Sequence, residues 1–244
     1  MPLRYARRVN KSNFEPRTFG LVGGLGVGGG IFYYRALVNA HLALGLTPRI
    51  LMVHADVRRV PGHAALGESS QLAQYLAGLL GQLARGGAEI ATIPAFAAQI
   101  CAAELAAISP LPLISLLDPI SAEVKRRGLR RVALFGAPLT METKMFGILQ
   151  EDGVEVVPPR PEEADRIAST YERVVEAASA SDEDYNALRS LAHSLIEREK
   201  LDAIILAGTD LSFVFNPENT DFPHIDGARV HLEAIMAELV RNET

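Results

Sequence analysis

The chain has 244 residues, 48% hydrophobic and 22% charged, which supports a sizeable core and excludes a mostly disordered chain. A net charge of -5 leaves no basic footprint for nucleic acid, and no apolar run approaches the roughly 20 residues that span a bilayer. The single cysteine, Cys101, excludes an internal disulfide and a cysteine-built zinc site, and the lack of Trp argues against a base- or sugar-stacking platform.

In chain order, residues 1–18 read as a basic extension, with Arg4, Arg7, Arg8, Lys11 and Arg17 against Glu15. No apolar stretch of export-signal length follows, so a cytoplasmic protein is expected. Seven segments then read as strands: TFGLVGG, RILMVHAD, EIATIPAF, LPLISLLD, RVALFGA, VEVVPP and DAIILAG. They are rich in Val, Ile and Leu without a clean period of two, as strands covered on both faces should be. Segments such as SSQLAQYLAGLLGQLARGG and EEADRIASTYERVVEAASA place apolar residues at helical spacing between them. VPGHAALGE reads as a mobile surface loop carrying His63. The alternation predicts an α/β fold with mostly parallel sheets flanked by helices.

A weak internal repeat divides the chain. TFGLVGGLGVGGGIFYYRAL and RVALFGAPLTMETKMFGIL both read strand, glycine, short loop, helix, with Gly23 matching Gly136. EIATIPAFAAQ and AIILAGTDLSF form a second pair. Two pseudo-symmetric halves are expected, 19–116 and 117–225, with a C-terminal helix 226–241 packing on the first. Ligands of such sheets lie beyond the carboxyl ends of the strands, so one ligand cleft between the halves is predicted.

The glycine loop has a reading of its own. Gly24, Gly26 and Gly29 satisfy G-x-G-x-x-G between a strand and a helix, and RILMVHAD ends on Asp56, where an acidic residue would meet a ribose hydroxyl. The same glycines expose backbone N–H groups that suit any anion, or simply permit a tight turn. Nucleotide, carboxylate and turn all remain open at this loop. No cluster with metal-ligand spacing appears, so no metal is expected.

The segments FGLVGGLGVGGGIFYYRAL, LFGAPLTMETKMF, IILAGTDL and HIDGARVHLEAIM resemble, in that order, landmark segments of the aspartate/glutamate racemase superfamily. The resemblance runs from about Phe19 to the last helix. It implies cofactor-independent chemistry in amino-acid metabolism, with one cysteine from each half on opposite faces of a substrate α-carbon. It also implies a small carboxylate ligand and a homodimer. Neither cysteine is present. The first thiol position falls on Ala95, or on Pro94 in a variant spacing, and the second on Gly208. The Asn and Thr expected to hold a substrate carboxylate are Phe96 and Ala97, and a polar stretch after the first glycines has become Val27, Gly28, Gly29 and Gly30. What persists is Thr140, Thr209 and Asp210, with Asp226 and His231 at the family's spacing.

These departures imply that two-thiol racemisation is lost while small-carboxylate binding by Gly24, Gly26, Asp56, Phe96, Ala97, Thr140 and Thr209 remains. Asp210 and His231 are the candidates for moving a proton in an altered isomerase or lyase reaction. Each has a plainer reading: a helix cap for Asp210, Thr209 and Thr140, and a structural core residue for His231. Cys101 reads as a small core residue; His54 and Asp56 end a strand, and Arg58 and Arg59 read as solvated. A non-catalytic sensor or partner subunit, with the apolar patch at Phe96 filling its pocket or binding another chain, and a nucleotide binder built on Gly24, Gly26, Gly29 and Asp56 are the competing functions.

Overall fold

The computed structural model describes residues 16–241. Most of the basic extension, residues 1–15, lies outside the described residues. In chain order the elements are β1 (Phe19–Gly23), α1 (Val27–Ala43), β2 (Ile50–His54), α2 (Arg59–Ala65), α3 (Ser69–Arg85), β3 (Ile90–Thr92), α4 (Ala102–Ile108) and α5 (Asp118–Arg127). There follow β4 (Arg131–Gly136), α6 (Pro138–Glu142), α7 (Ile148–Glu151), β5 (Glu155–Val156), α8 (Pro161–Ala177), α9 (Asp182–Glu199), β6 (Ala203–Ala207), β7 (His224–Asp226) and α10 (Gly227–Leu239). Short 3-10 turns follow β3 at Ala97–Cys101 and β6 at Thr209–Phe213.

The chain forms two compact units. The first contains the described residues up to Pro94, with Ile100–Ser115 and the described residues from His231 onward; the second contains Ala95–Gln99 and Leu116–Val230. Each holds one parallel sheet. The first has three strands in the order β2-β1-β3, the second four in the order β5-β4-β6-β7. β1 and β4 thus occupy the same central place in their own sheets, each ending on the paired glycine, Gly23 or Gly136. The α/β class and the doubled pattern read from the sequence are what the structure has.

In the second unit the sheet is covered on both faces, and the alternation of its strands shows it. Ala133 and Phe135 of β4 with Ile204 and Leu206 of β6 enter one core, packed by Ile167 and Val174 of α8 and Leu188, Leu191 and Leu195 of α9. Val132 and Leu134 with Ile205 and Ala207 enter the other, packed by Ile120 and Val124 of α5 and by Leu149. Successive strand side chains point to opposite faces, so apolar residues at every position mean two buried faces. Burying each such side chain contributes about 1.5–3 kcal/mol. Pro161 opens α8 where no N–H is needed, and Ser181 closes a capping box with Asp184 at the start of α9.

In the first unit α1 and α3 pack against β1, whose Phe19, Leu21 and Val22 are buried. Leu72, Leu76, Leu80 and Leu83 of α3 form the buried stripe that its sequence announced.

Three expectations are corrected and one strand is added. LPLISLLD is not a strand: it makes one parallel bridge, Leu113 opposite Ala91, because Pro112 has no N–H to extend a ladder and α5 starts at Asp118. VEVVPP shrinks to the two residues of β5, cut short by Pro158 and Pro159. His224–Asp226, unread as a strand, joins the sheet beside β6. Residues of the expected VPGHAALGE loop form the helix α2, with His63 Nδ1 2.9 Å from the Glu68 carboxylate.

Candidate functional site

The strand ends of the second unit gather most of the singled-out residues. Gly136 and Ala207 are register partners, so β4 and β6 finish side by side. Their backbones approach so closely that a Cβ at Gly136 would strike the carbonyl oxygen of Ala207. The chain leaves β4 through Ala137 and Pro138 into α6, where Thr140 is fully buried. Thr140 Oγ1 has no hydrogen-bond partner among the described residues. The N-cap of α6 is Ala137 and no side chain caps it, so the capping role open to Thr140 is not taken. An unpaired buried hydroxyl costs about 1–3 kcal/mol, a penalty that a ligand oxygen would relieve. Thr143 behaves differently: its hydroxyl donates back to the Leu139 carbonyl at 2.7 Å. After it, Lys144, Met145, Phe146 and Gly147 all have positive φ, a strained left-handed run that ends α6 abruptly beside Thr140.

From β6 the chain passes Gly208 into the 3-10 turn of Thr209 and Asp210, which are 3% and 1% exposed. The Thr209 hydroxyl donates to Asp210 Oδ2 at 3.2 Å. Neither side chain caps the turn. Beside them β7 ends on Asp226, opposite Leu206. Asp226 accepts from the Arg229 amide at 3.1 Å and pairs with Arg229 Nε at 2.8 Å. Burial pushes this carboxyl above its usual range, with the arginine opposing the rise.

Ala95, Phe96 and Ala97 belong to the same unit. Phe96 is 4% exposed and packs among Ile120, Leu134, Ile205 and Ile225. It lies so close to Gly227 that a Cβ there would be 2.7 Å from its ring. Its ring is committed to this core. Gln99 Nε2 donates to the Ala95 carbonyl at 3.1 Å, turning the chain back at the position expected for the first thiol.

Further candidates lie in the first unit. Gly24 and Gly26 have φ of +87° and +120°, and a Cβ at Gly24 would lie 2.5 Å from the Ala55 carbonyl oxygen. The loop therefore needs glycine for its turn and its approach to the end of β2, independent of any ligand. Asp56 is engaged by Arg58, which donates from Nε at 2.9 Å and Nη2 at 2.8 Å. That pairing holds its carboxyl down to about 2. Arg59 lies over the Tyr75 ring at 4.7 Å. His54 ends β2 and is exposed.

His231 is fully buried on α10, with both ring nitrogens engaged. Thr92 Oγ1 donates to the Ile114 carbonyl at 2.8 Å, so its hydroxyl accepts from His231 Nε2 at 3.1 Å. Nδ1 is then the acceptor for the Tyr33 hydroxyl at 3.0 Å. Burial drives the imidazole down to about 3, so it is neutral in the native protein. Cys101 is also fully buried; burial, with Glu104 adding to it, pushes its thiol up to about 11. In native protein at pH 8, Cys101 is expected to react with a disulfide reagent at least a hundredfold more slowly than after unfolding; equal rates would contradict its burial.

Two aspects went unread in the sequence. Tyr171 of α8 reaches Gly208, a pairing between distant segments that no local pattern signals. Asp226 is legible in the sequence only by its spacing from His231, yet it carries the mostly buried carboxylate at the end of β7. Among the described residues no group of three or more His, Cys, Asp or Glu gathers, and no helix is long and apolar enough to cross a membrane.

A family model described as Asp/Glu/Hydantoin racemase matches residues 22–235. Among solved structures, a candidate Asp/Glu racemase of Yersinia pestis is similar at a TM-score of 0.77 and 22% identity, over 92% of this chain and 100% of that one. An aspartate racemase homologue from Pyrococcus horikoshii gives 0.75 and 20%, over 92% and 100%. Glutamate racemase from Francisella tularensis in complex with D-glutamate gives 0.66 and 16%, over 95% and 85%. At these identities the structural likeness shows the fold alone. No curated protein matches the chain.

Proposed function

The chain belongs to the Asp/Glu/hydantoin racemase family, and from that membership we propose that it binds a small carboxylate, an amino acid or a dicarboxylate, at the strand ends of its second unit. The observation that carries this reading is Thr140 Oγ1, buried and without a partner among the described residues at the end of β4. Evolution of a folded chain does not favour an orphaned hydroxyl there unless something fills its hydrogen-bonding capacity. A carboxylate oxygen would accept from it. The related glutamate racemase structure holds D-glutamate, a ligand of this class.

Two-thiol proton exchange is absent from the proposal, since Ala95 and Gly208 carry no ionisable group. Asp210, buried beside Thr209, is the group left to hold or move a proton, without a cofactor, in an isomerase- or lyase-type reaction. His231 supports the first unit instead: a neutral imidazole with both nitrogens bonded is poorly placed to exchange protons with a ligand.

Thr140→Val tests the reading, because valine keeps the shape and removes the hydroxyl. The unliganded variant is expected to melt at or above the wild-type temperature, since a buried orphan has been removed. D- and L-aspartate, D- and L-glutamate, succinate and malonate are the probes. Those that raise the wild-type melting temperature should raise that of the variant by less than half as much. Equal shifts in the two proteins, or no shift of wild type by any acid, would overturn it. Proton NMR in D₂O on the stabilising acids then reads chemistry directly, through loss of an α-proton signal or appearance of a decarboxylated product.

A further inference from the structure

Residue 208 is glycine for want of space, not for conformation. Its backbone is extended, with φ -153° and ψ 123°, which any residue adopts. A Cβ there would lie 2.5 Å from Tyr171 Cε2, 2.8 Å from Cζ and 3.0 Å from the hydroxyl oxygen. The phenol end of Tyr171 therefore fills the volume into which a side chain at 208 would extend. The ring is brought there by α8. Its neighbours on that helix, Ile167, Thr170 and Val174, are buried, and its body packs against the core on the α8 and α9 side of the sheet. The hydroxyl makes no hydrogen bond among the described residues.

We propose, on the reading that these strand ends bind a carboxylate, that Tyr171 supplies the ligand contact at position 208, its hydroxyl donating a hydrogen bond to an oxygen of the bound acid. Glycine at 208 and tyrosine at 171 are then one feature: where the family resemblance implies a thiol after β6, a phenol is delivered from a neighbouring helix.

The chemistry of the exchange is specific. Burial and the nearby charge of Asp210 both push the phenol upward from its ordinary value near 10. It stays an O–H donor at working pH and does not become a phenolate base. A thiol at the same place would have been able to take a proton from an α-carbon; this phenol cannot. It can only hold an acceptor oxygen, and an anionic one forms the stronger bond. The ligand is accordingly turned with an oxygen, rather than an α-hydrogen, toward residue 208.

Calorimetric titration of wild type and Tyr171→Phe with D- and L-aspartate, D- and L-glutamate and succinate tests this. Phenylalanine keeps the ring and removes only the hydroxyl. The affinity of whichever acid binds wild type should fall about tenfold or more, while the melting temperature of the unliganded protein stays within about 2 °C. A purely packing role for Tyr171 predicts an unchanged Kd. Equal Kd values in the two proteins overturn the assignment of Tyr171 and leave the carboxylate reading standing. Absence of binding of every acid to wild type overturns both.

Discussion

Between pH 6.5 and 5 the native protein should lose about 1.6 kcal/mol of stability through His231 alone, at a rate that steepens toward about 1.4 kcal/mol per pH unit. The imidazole is buried with Tyr33 donating to Nδ1 and Thr92 accepting from Nε2, an arrangement that only the neutral ring satisfies. Protonating Nδ1 would set two donors against each other in a dry site. The folded-state value is therefore depressed, to about 3, against 6.5 in the unfolded chain. A depressed value means that the unfolded chain binds the proton first. The stability contributed by the neutral ring is fully present above pH 6.5 and is lost as pH falls toward 3, about 5 kcal/mol in all. The carboxylates held low by arginines, Glu123 and Glu163 at about 2, add losses in the same direction at lower pH. Asp226, whose carboxyl burial raises, acts in the opposite sense, so the histidine is isolated by comparing wild type with a variant at position 231 in denaturant unfolding at pH 5.0, 5.5, 6.0 and 6.5. His231→Gln keeps a donor and an acceptor but cannot charge. It should be less stable than wild type at pH 7 and show a slope about one proton flatter. Parallel slopes for the two proteins would show that His231 is not buried neutral.

The same residue illustrates what a sequence makes legible. HIDGARVHLEAIM placed His231 on a helix, and it is on one. What it could not show is that Tyr33 and Thr92, far away in the chain, meet the ring from both sides. The fold was readable because its signals are local and repeated: apolar strand runs, helical stripes and two matching strand–glycine–helix units. Errors fell where a local signal was weak or misleading. LPLISLLD is apolar enough for a strand, but Pro112 limits it to one bridge. HID is too short and polar to announce β7. At the candidate site, the segments single out Thr140, Thr209 and Asp210 as residue types suited to a carboxylate, and the structure places them at the ends of β4 and β6. The hydroxyl of Thr140 turned out to be unpaired only because the structure shows Ala137, not a side chain, at the cap. Phe96, placed by sequence among ligand-binding residues, is held in a core by contacts with β4, β6, β7 and α5 that no single segment encodes.

Restoring a thiol at the second strand end should fail unless a second residue changes with it. Gly208→Cys brings a Cβ to within 2.5 Å of the Tyr171 ring, and the ring, packed against the α8 and α9 core, must shift to make room. Overpacking of this kind is expected to destabilise by about 1–3 kcal/mol. The new thiol would also be a poor thiolate, since it would lie two residues from the buried carboxylate of Asp210. Tyr171→Ala removes the ring and by itself leaves a hole, costing about 2–4 kcal/mol. In the double variant the cysteine enters the vacated volume, so the combined loss should fall short of the sum of the single losses by at least about 1 kcal/mol. Denaturant unfolding of the four proteins measures that coupling. Thiol titration of Gly208→Cys/Tyr171→Ala, compared with Gly208→Cys, should show the more accessible sulfur in the double variant. Strictly additive losses would mean that the phenol does not occupy the side-chain volume of residue 208. The glycine would then need another explanation, and the two substitutions would have to be read as independent events rather than as one exchange of a thiol for a phenol.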